Sequence, residues 1–429
     1  MSTAEMKARL KKYQWPMYVV VILAYILSPF SRGAPAIMGP ELIRDMSLDA
    51  AQFGLLGLSF FWTYALSNAP AGAAIDKIGP RRGLMISLLL TGIGSLAFSI
   101  AEAFWVVIVG RMLVSMATAG IFICGIKIMS SWFTVKQFPQ LNGIFLGMGA
   151  VGSVLATGPL QFMMNSLGWR TSFAAIAAVC VVIAVLAFLI VRSKPADVGL
   201  PTPDELAGEA PPAKPAAEKT DWWTEMKPII TQKEFWFVTL FFLGVTSSGQ
   251  VIASLWGGVL LSNVYGFDKM TVADIMTVMA VGMVLGSVVS GSACKKFGMP
   301  AVMLGGTIAF LSAWVYMVVN LRSLSVFELK TVYFLIGFCQ MYAVVGAFAA
   351  IRQLVPAEKV GTAVGLSNAC AWLFGAGLFN QIWGLIIGNI SKGATPFPVA
   401  AFEVSMWVQA AALSCSVMCA IYLTRRVKG

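Results

Sequence analysis

Apolar residues fill the chain in runs of about twenty positions, and most charged residues gather in the breaks between them. A helix needs roughly 20 apolar residues to cross a bilayer, so each run predicts one transmembrane helix. There are twelve, at 16–38, 52–72, 83–102, 104–130, 140–163 and 171–191, then at 235–261, 270–292, 300–319, 328–353, 360–388 and 399–423. The expected fold is an all-α membrane protein. One long polar interruption, 193–234, carries Pro195, Pro201, Pro203, Pro211, Pro212 and Pro215 among alternating charges. Such a stretch cannot bury enough apolar surface to fold alone. It predicts a linker, with a short amphipathic helix from Lys227 to Glu234, joining a six-helix bundle at 1–192 to a second at 235–429.

Composition agrees with this pattern. Of 429 residues, 58% are hydrophobic and 11% charged, with a mean hydropathy of +0.81; soluble domains carry about 25% charged residues. The 30 Lys and Arg sort by side. With the N-terminus inside, 21 fall on the cytoplasmic flanks, including Lys214, Lys219, Lys359 and Lys428, and six on the other side. The remaining three, Arg32, Arg111 and Lys127, lie within predicted spans. The positive-inside rule then places both termini in the cytoplasm. It also accounts for the net charge of +11 without a nucleic-acid partner. Four basic residues precede the first run and Ala34-Pro35-Ala36 imitates a signal-peptidase site. Arg32 inside that run and eleven further spans favour a retained first helix instead. The chain has no histidine, and its seven cysteines lie in apolar runs without CxxC spacing. Neither a metal site nor a disulfide framework is expected, and no cofactor or enzymatic constellation is apparent.

The two halves echo each other. Gly72-Ala-Ala-Ile-Asp76-Lys77-Ile-Gly79-Pro80-Arg81-Arg82 follows the second run, and Gly291-Ser-Ala-Cys-Lys295-Lys296-Phe-Gly298-Met-Pro300 follows the eighth. Trp132-Phe133 through Lys136 to Gly143 has its partner in Leu354-Val355 through Lys359 to Gly365. Parallel repeats of this kind place a substrate site between two halves related by an axis along the membrane normal. Here the sequence resembles the major facilitator superfamily. Its GxxxD[RK]xGxR[RK] signature is matched at Gly72, Asp76, Lys77, Gly79, Arg81 and Arg82, and Arg111 matches the fourth-helix arginine of its second motif. Pro29-Phe30-Ser31-Arg32, Gly54-Leu-Leu-Gly57 and Trp256-Gly-Gly resemble the bacterial organic-anion branch related to anion:cation symporters. The resemblance implies two six-helix bundles related by a pseudo-two-fold axis, in a bacterial inner membrane. It also implies that the signature loop latches the cytoplasmic ends, through its charges and the dipole of a neighbouring helix.

A charge at mid-bilayer costs at least ~2.5–3.5 kcal/mol, so the three buried cations need explanations. Arg32 lies 16 residues past Pro16, roughly 24 Å along the first helix at 1.5 Å per residue. First helices line the central cavity in the superfamily, which makes Arg32 the principal anion ligand; the bland alternative pairs it with Glu41 or Asp45. Arg111 either completes an anion clamp with Arg32 or braces carbonyl groups of the first helix. Lys127 is either a way-station for the anion or a snorkelling lysine. Asp76, Glu102, Asp274, Glu328 and Glu403 all fall near span ends; the resemblance implies a carboxylate near the first-helix arginine or in the fourth helix, but Ser31 precedes Arg32, and Val114, Ser115 and Thr118 follow Arg111. A protein-borne proton relay is thereby placed in doubt. Ser28, Tyr64, Gln250, Trp256, Gln340, Tyr342, Asn368 and Trp372 are the candidates for the remaining substrate contacts.

The expected function is a monomeric secondary transporter moving a small organic anion (carboxylate, sulfonate or phosphate ester) by alternating access. The coupling partner is either a proton or a counter-anion, and membrane lipids are the other partners. A proton-antiport exporter of drugs or siderophores is the alternative.

Overall fold

The computed structural model describes residues 3–134, 136–207, 227–355 and 360–426. The linker interior at 208–226, with Lys214 and Lys219, lies outside the described residues. So do 356–359, with Lys359 and the second Trp132-type echo, and Lys428. The described residues form helices and turns only, in keeping with a medium that leaves every backbone polar group to be satisfied internally.

Twelve long elements follow one another. The first six are α1 (Thr3–Met46), α2 (Ala50–Ile78), α3 (Pro80–Ile100), α4 (Phe104–Trp132), α5 (Phe138–Leu155) and α6 (Gly158–Ile190). Next come α7 (Lys233–Val251, continued through Ile252–Trp256 and Gly257–Tyr265), α8 (Lys269–Phe297) and α9 (Met299–Val319). The last are α10 (Val326–Leu354), α11 (Val360–Cys370, Ala371–Gly377, Leu378–Ser391) and α12 (Val399–Arg426). Among the described residues, ten stretches are long and apolar enough to cross a membrane, with Gln140–Leu155 a shorter apolar helix. The predicted fifth run, 140–163, is broken at Ala156–Thr157, and Gly168 (φ 75°, ψ 160°) interrupts α6. Residues 227–230 are helical, as expected of the stretch from Lys227 to Glu234, and Thr231 and Gln232 separate them from α7, which begins at Lys233.

The sequence echo becomes a backbone echo. Gly79 (φ 81°, ψ 152°) stands between α2 and α3, and Gly298 (φ 79°, ψ 151°) between α8 and α9. A side chain at such a φ is strained, whereas glycine adopts it freely. A proline follows each glycine in the first turn of the next helix, where its missing N–H costs nothing. The signature stretch is therefore the last turn of one helix, a glycine corner and the first turn of another.

Burial separates inner from peripheral helices. The most apolar window of α7 is 83% buried, against 39% for α6. Val181, Val182, Val185, Phe188 and Leu189 of α6 are exposed, as are Ile86, Leu89 and Ile93 of α3. In water such apolar faces would aggregate; here they are the surface offered to lipid.

Contacts divide the chain into two compact units that do not follow chain order. The first gathers Met1–Arg32, Leu66–Leu155 and Met163–Glu218; the second gathers Gly33–Ala65, Ala156–Phe162 and Lys219–Gly429. In the first unit α3 and α4 meet through two glycines. A Cβ built on Gly94 lies 2.6 Å from the Gly110 carbonyl, and one on Gly110 lies 2.8 Å from the Gly94 carbonyl. Gly149 and Gly152 likewise lie against Tyr25 and Ile26 of α1, whereas Gly143, Gly147 and Gly365 have open space around them. Gly94→Val should cost about 1–3 kcal/mol of overpacking. In a thermal melt of detergent-purified protein, this variant should unfold several degrees below the parent and Gly143→Ala with it; equal melting of Gly94→Val and Gly143→Ala would refute the close-approach account.

Candidate functional site

The first unit brings Arg111 to the predicted anion residue. Arg111 is 2% exposed in the first third of α4, near Val114, Ser115 and Thr118, all under 5% exposed. Its Nη1 donates to the Ser31 carbonyl at 2.5 Å and its Nη2 to the Arg32 carbonyl at 3.2 Å. Of the two roles open to Arg111, the brace on the first helix is the one seen. Hydrogen bonds from a charged donor are the stronger kind, and these two fasten the turn that carries Arg32. Arg32 is half-buried, and its charge bears directly on Arg111. Two permanent cations thus share one site. Glu41 pairs with Lys269, and Asp45 with Arg44. Ser28 lies one turn earlier on α1 and is half-buried.

Lys127 pairs with Asp76, so the way-station residue meets the signature aspartate within one unit. Asp76 is 72% exposed in its side chain and Lys127 30%, so solvent screens the pair. Arg81 braces α3 to α6: its Nε and Nη2 donate to the Phe188 carbonyl at 3.2 and 2.6 Å, and its guanidinium lies 4.8 Å over the Phe188 ring.

The second unit gathers most of the aromatic candidates. The Trp372 indole donates to Asn368 Oδ1 at 2.9 Å, stacks on Phe61 at 5.3 Å and meets Tyr64 edge-on at 6.0 Å. Trp256 is wholly buried; its indole donates to the Asn380 carbonyl at 3.1 Å, and its ring meets Phe53 at 5.1 Å. Gln250 and Gln340 are also buried, Gln340 against Gly249. Tyr342 stacks on Phe338 and lies against Gly306 of α9. Trp256, Gln340 and Tyr342 thus make helix-packing contacts.

Sequence reasoning missed the element that organises this region. The turns at Ile252–Trp256 in α7 and Ala371–Gly377 in α11 are π-helical, a form that recurs at functional sites. The Leu373 carbonyl within the second accepts the Trp62 indole at 3.0 Å. Gly54 and Gly57 let α2 approach α11 closely: Cβ atoms built there lie 2.8 Å from the Asn380 carbonyl and 2.6 Å from its Cβ. Asn380 is fully buried and its Oδ1 has no hydrogen-bond partner. The glycine spacing was the available signal; a π turn has none in a single sequence.

The sequence profile of the Major Facilitator Superfamily matches residues 21–380. The chain belongs to this family. The phosphoglycerate transporter protein of Salmonella typhimurium is 23% identical over 412 residues, covering 90% of this chain and 86% of that protein. The hexuronate transporter of Escherichia coli (strain K12) is 23% identical over 395 residues, 89% of each chain. A bacterial homologue of the human lysosomal transporter Spinster, solved inward-facing and occupied, superposes with a TM-score of 0.79 at 18% identity. It covers 96% of this chain and 97% of that one, which shows the superfamily fold. The chain is a multi-pass membrane transporter, not an enzyme.

Lysine is a point charge and cannot bridge two carbonyls as a planar guanidinium does. Arg111→Lys and Arg111→Gln should therefore both destabilise the protein, by about 1.5–3 kcal/mol for the charged hydrogen bonds lost, and so lower its melting temperature. A melt of Arg111→Lys that overlays the parent would remove the brace.

Proposed function

We propose that this transporter moves a small organic anion, a carboxylate, sulfonate or phosphate ester, by alternating access across the bacterial cytoplasmic membrane. Both termini lie in the cytoplasm, and the two bundles at 1–192 and 235–429 rock about the substrate. The observation that carries the reading is that Arg111 of α4 donates to the backbone carbonyls of Ser31 and Arg32, the turn of α1 from which the Arg32 side chain leaves. A guanidinium keeps its charge at any ordinary pH, and two in a low-dielectric setting favour an anion between or beside them. The names of two relatives, a phosphoglycerate and a hexuronate transporter, fit the same chemistry. Ser28, Tyr64, Asn368 and Trp372 are the further contacts we assign, while Asp76 with Lys127 and Arg81 form the cytoplasmic latch.

Bringing an anion into a negative-inside cell costs roughly 2.3 kcal/mol per charge per 100 mV, so import needs a counter-anion or a proton. The test is a thermal-shift screen of hexuronates, phosphoglycerate and alkyl sulfonates on parent and Arg32→Gln. An anion at 100 times its dissociation constant stabilises by about 2.7 kcal/mol, which should raise the parent melt and leave Arg32→Gln unmoved. Equal stabilisation of both overturns Arg32 as ligand. Counterflow of preloaded substrate in proteoliposomes, without a pH gradient, then separates exchange from proton-linked transport. A lipophilic cation that competes would favour the drug exporter.

A further inference from the structure

In the second unit, the far end of α1 packs on α7 and α8, and the start of α2 on α11. Most of these contacts are apolar or backbone: Gly258 against the Ala36 carbonyl, Gly39 against Phe53 and Val259, Gly54 against Gly384. One is ionic. Glu41 Oε1 of α1 pairs with the Lys269 ammonium at the first turn of α8. The two partners are unequal, for the Glu41 side chain is 8% exposed and that of Lys269 51%. Moreover, Glu41 Oε2 is buried without a hydrogen-bond partner. A buried carboxylate held on one oxygen depends on its counter-ion, because removing either charge leaves the other uncompensated.

The other ionisable groups of these elements are engaged differently. On α1, Arg44 pairs with Asp45; in the α1–α2 turn, Asp49 exchanges hydrogen bonds with Gln52. Before α8, Asp268 accepts from the Thr271 hydroxyl and from the Thr271 and Met270 amides, which hold its carboxyl below the usual range. On α8, Asp274 pairs with Lys330 of α10 at 2.5 Å. On α10, Glu328 caps the helix with Ser325 and accepts from Tyr316. At the end of α7 the Tyr265 hydroxyl is buried, and at the end of α11 Lys392 is exposed. Among the described acids, Glu41 carries the buried oxygen with no hydrogen-bond partner.

We infer that Glu41 is a proton-binding site that operates the outer seal of the transporter: ionised, it locks α1 to α8 through Lys269; protonated, it releases them. The inference rests on the orientation proposed above, which puts this end outside. The pair is complete while Glu41 is charged and is lost as external pH falls. Protons reach it past the half-exposed lysine and return the same way, so the site sets when the seal opens without itself carrying protons inward. An acidic exterior thus favours the outward-open state even though Ser31, rather than a carboxylate, precedes Arg32.

The experiment reads opening directly, without substrate. Ala36 is 1% exposed under the seal. Ala36→Cys is labelled from outside with a membrane-impermeant methanethiosulfonate in right-side-out vesicles, the chain lacking this cysteine serving as blank. In Glu41→Gln, which mimics the protonated acid, labelling should run about tenfold faster than in the parent at alkaline pH. The ratio of the two rates cancels the titration of the thiol and should fall towards one as external pH is lowered. Lys269→Gln should also label fast, and the exchanged pair Glu41→Lys with Lys269→Glu should restore slow labelling and show that the fold survives. A ratio of one at every pH, or a raised ratio that does not change with pH, overturns the proton site. Labelling only in inside-out vesicles overturns the orientation instead. A failure of the anion reading would show in the Arg32→Gln thermal shift and leave the labelling ratio untouched.

Discussion

A buried guanidinium fastened to two backbone carbonyls is the interaction on which the candidate site depends. Arg111 cannot lose its charge and has little access to water, so its donors must find protein acceptors. It finds them on Ser31 and Arg32, where Pro29, Gly33 and Pro35 flank the turn. That holds in place the backbone from which the Arg32 side chain leaves α1. A neutral residue at 111 could brace α1 only weakly, and an acid there would neutralise Arg32 instead of adding to its field. The position therefore supports two linked demands, a firm backbone and a positive local potential.

A second constraint comes from packing. Glycines set how closely helices approach, at Gly94 and Gly110 between α3 and α4 and at Gly54 and Gly57 between α2 and α11. Tight apolar contact is the main attraction available between helices in lipid, since tails are as apolar as the side chains. Indole donors add direction to it. Trp62, Trp256 and Trp314 each hand an N–H to a carbonyl on another helix, which fixes rotation as well as distance.

The fold was legible because lipid imposes a simple rule, roughly twenty apolar residues per crossing, and because the glycine corners at 79 and 298 repeat in sequence and in dihedral angle. Arg32 and Arg111 were legible for the same reason that they are costly: a charge inside an apolar run stands out. Rotational position was not. Nothing in the letters around Trp256 or Tyr342 distinguishes a residue facing a cavity from one facing a neighbouring helix. The π turns in α7 and α11, which rotate the residues beyond them, leave no local mark. Glu41 was legible only as an alternative partner for Arg32, because it sits just past the end of the first predicted run, where an acid looks like ordinary flank, yet α1 continues to Met46 and packing covers it.

Contacts assign α1 up to Arg32 to the first unit and α1 from Gly33 onward to the second. Arg32 is therefore the last α1 residue of the first unit, and it sits on the turn that Arg111 fastens. A pull on its guanidinium passes into that braced backbone and through it to α4, so the two helices take such a load together.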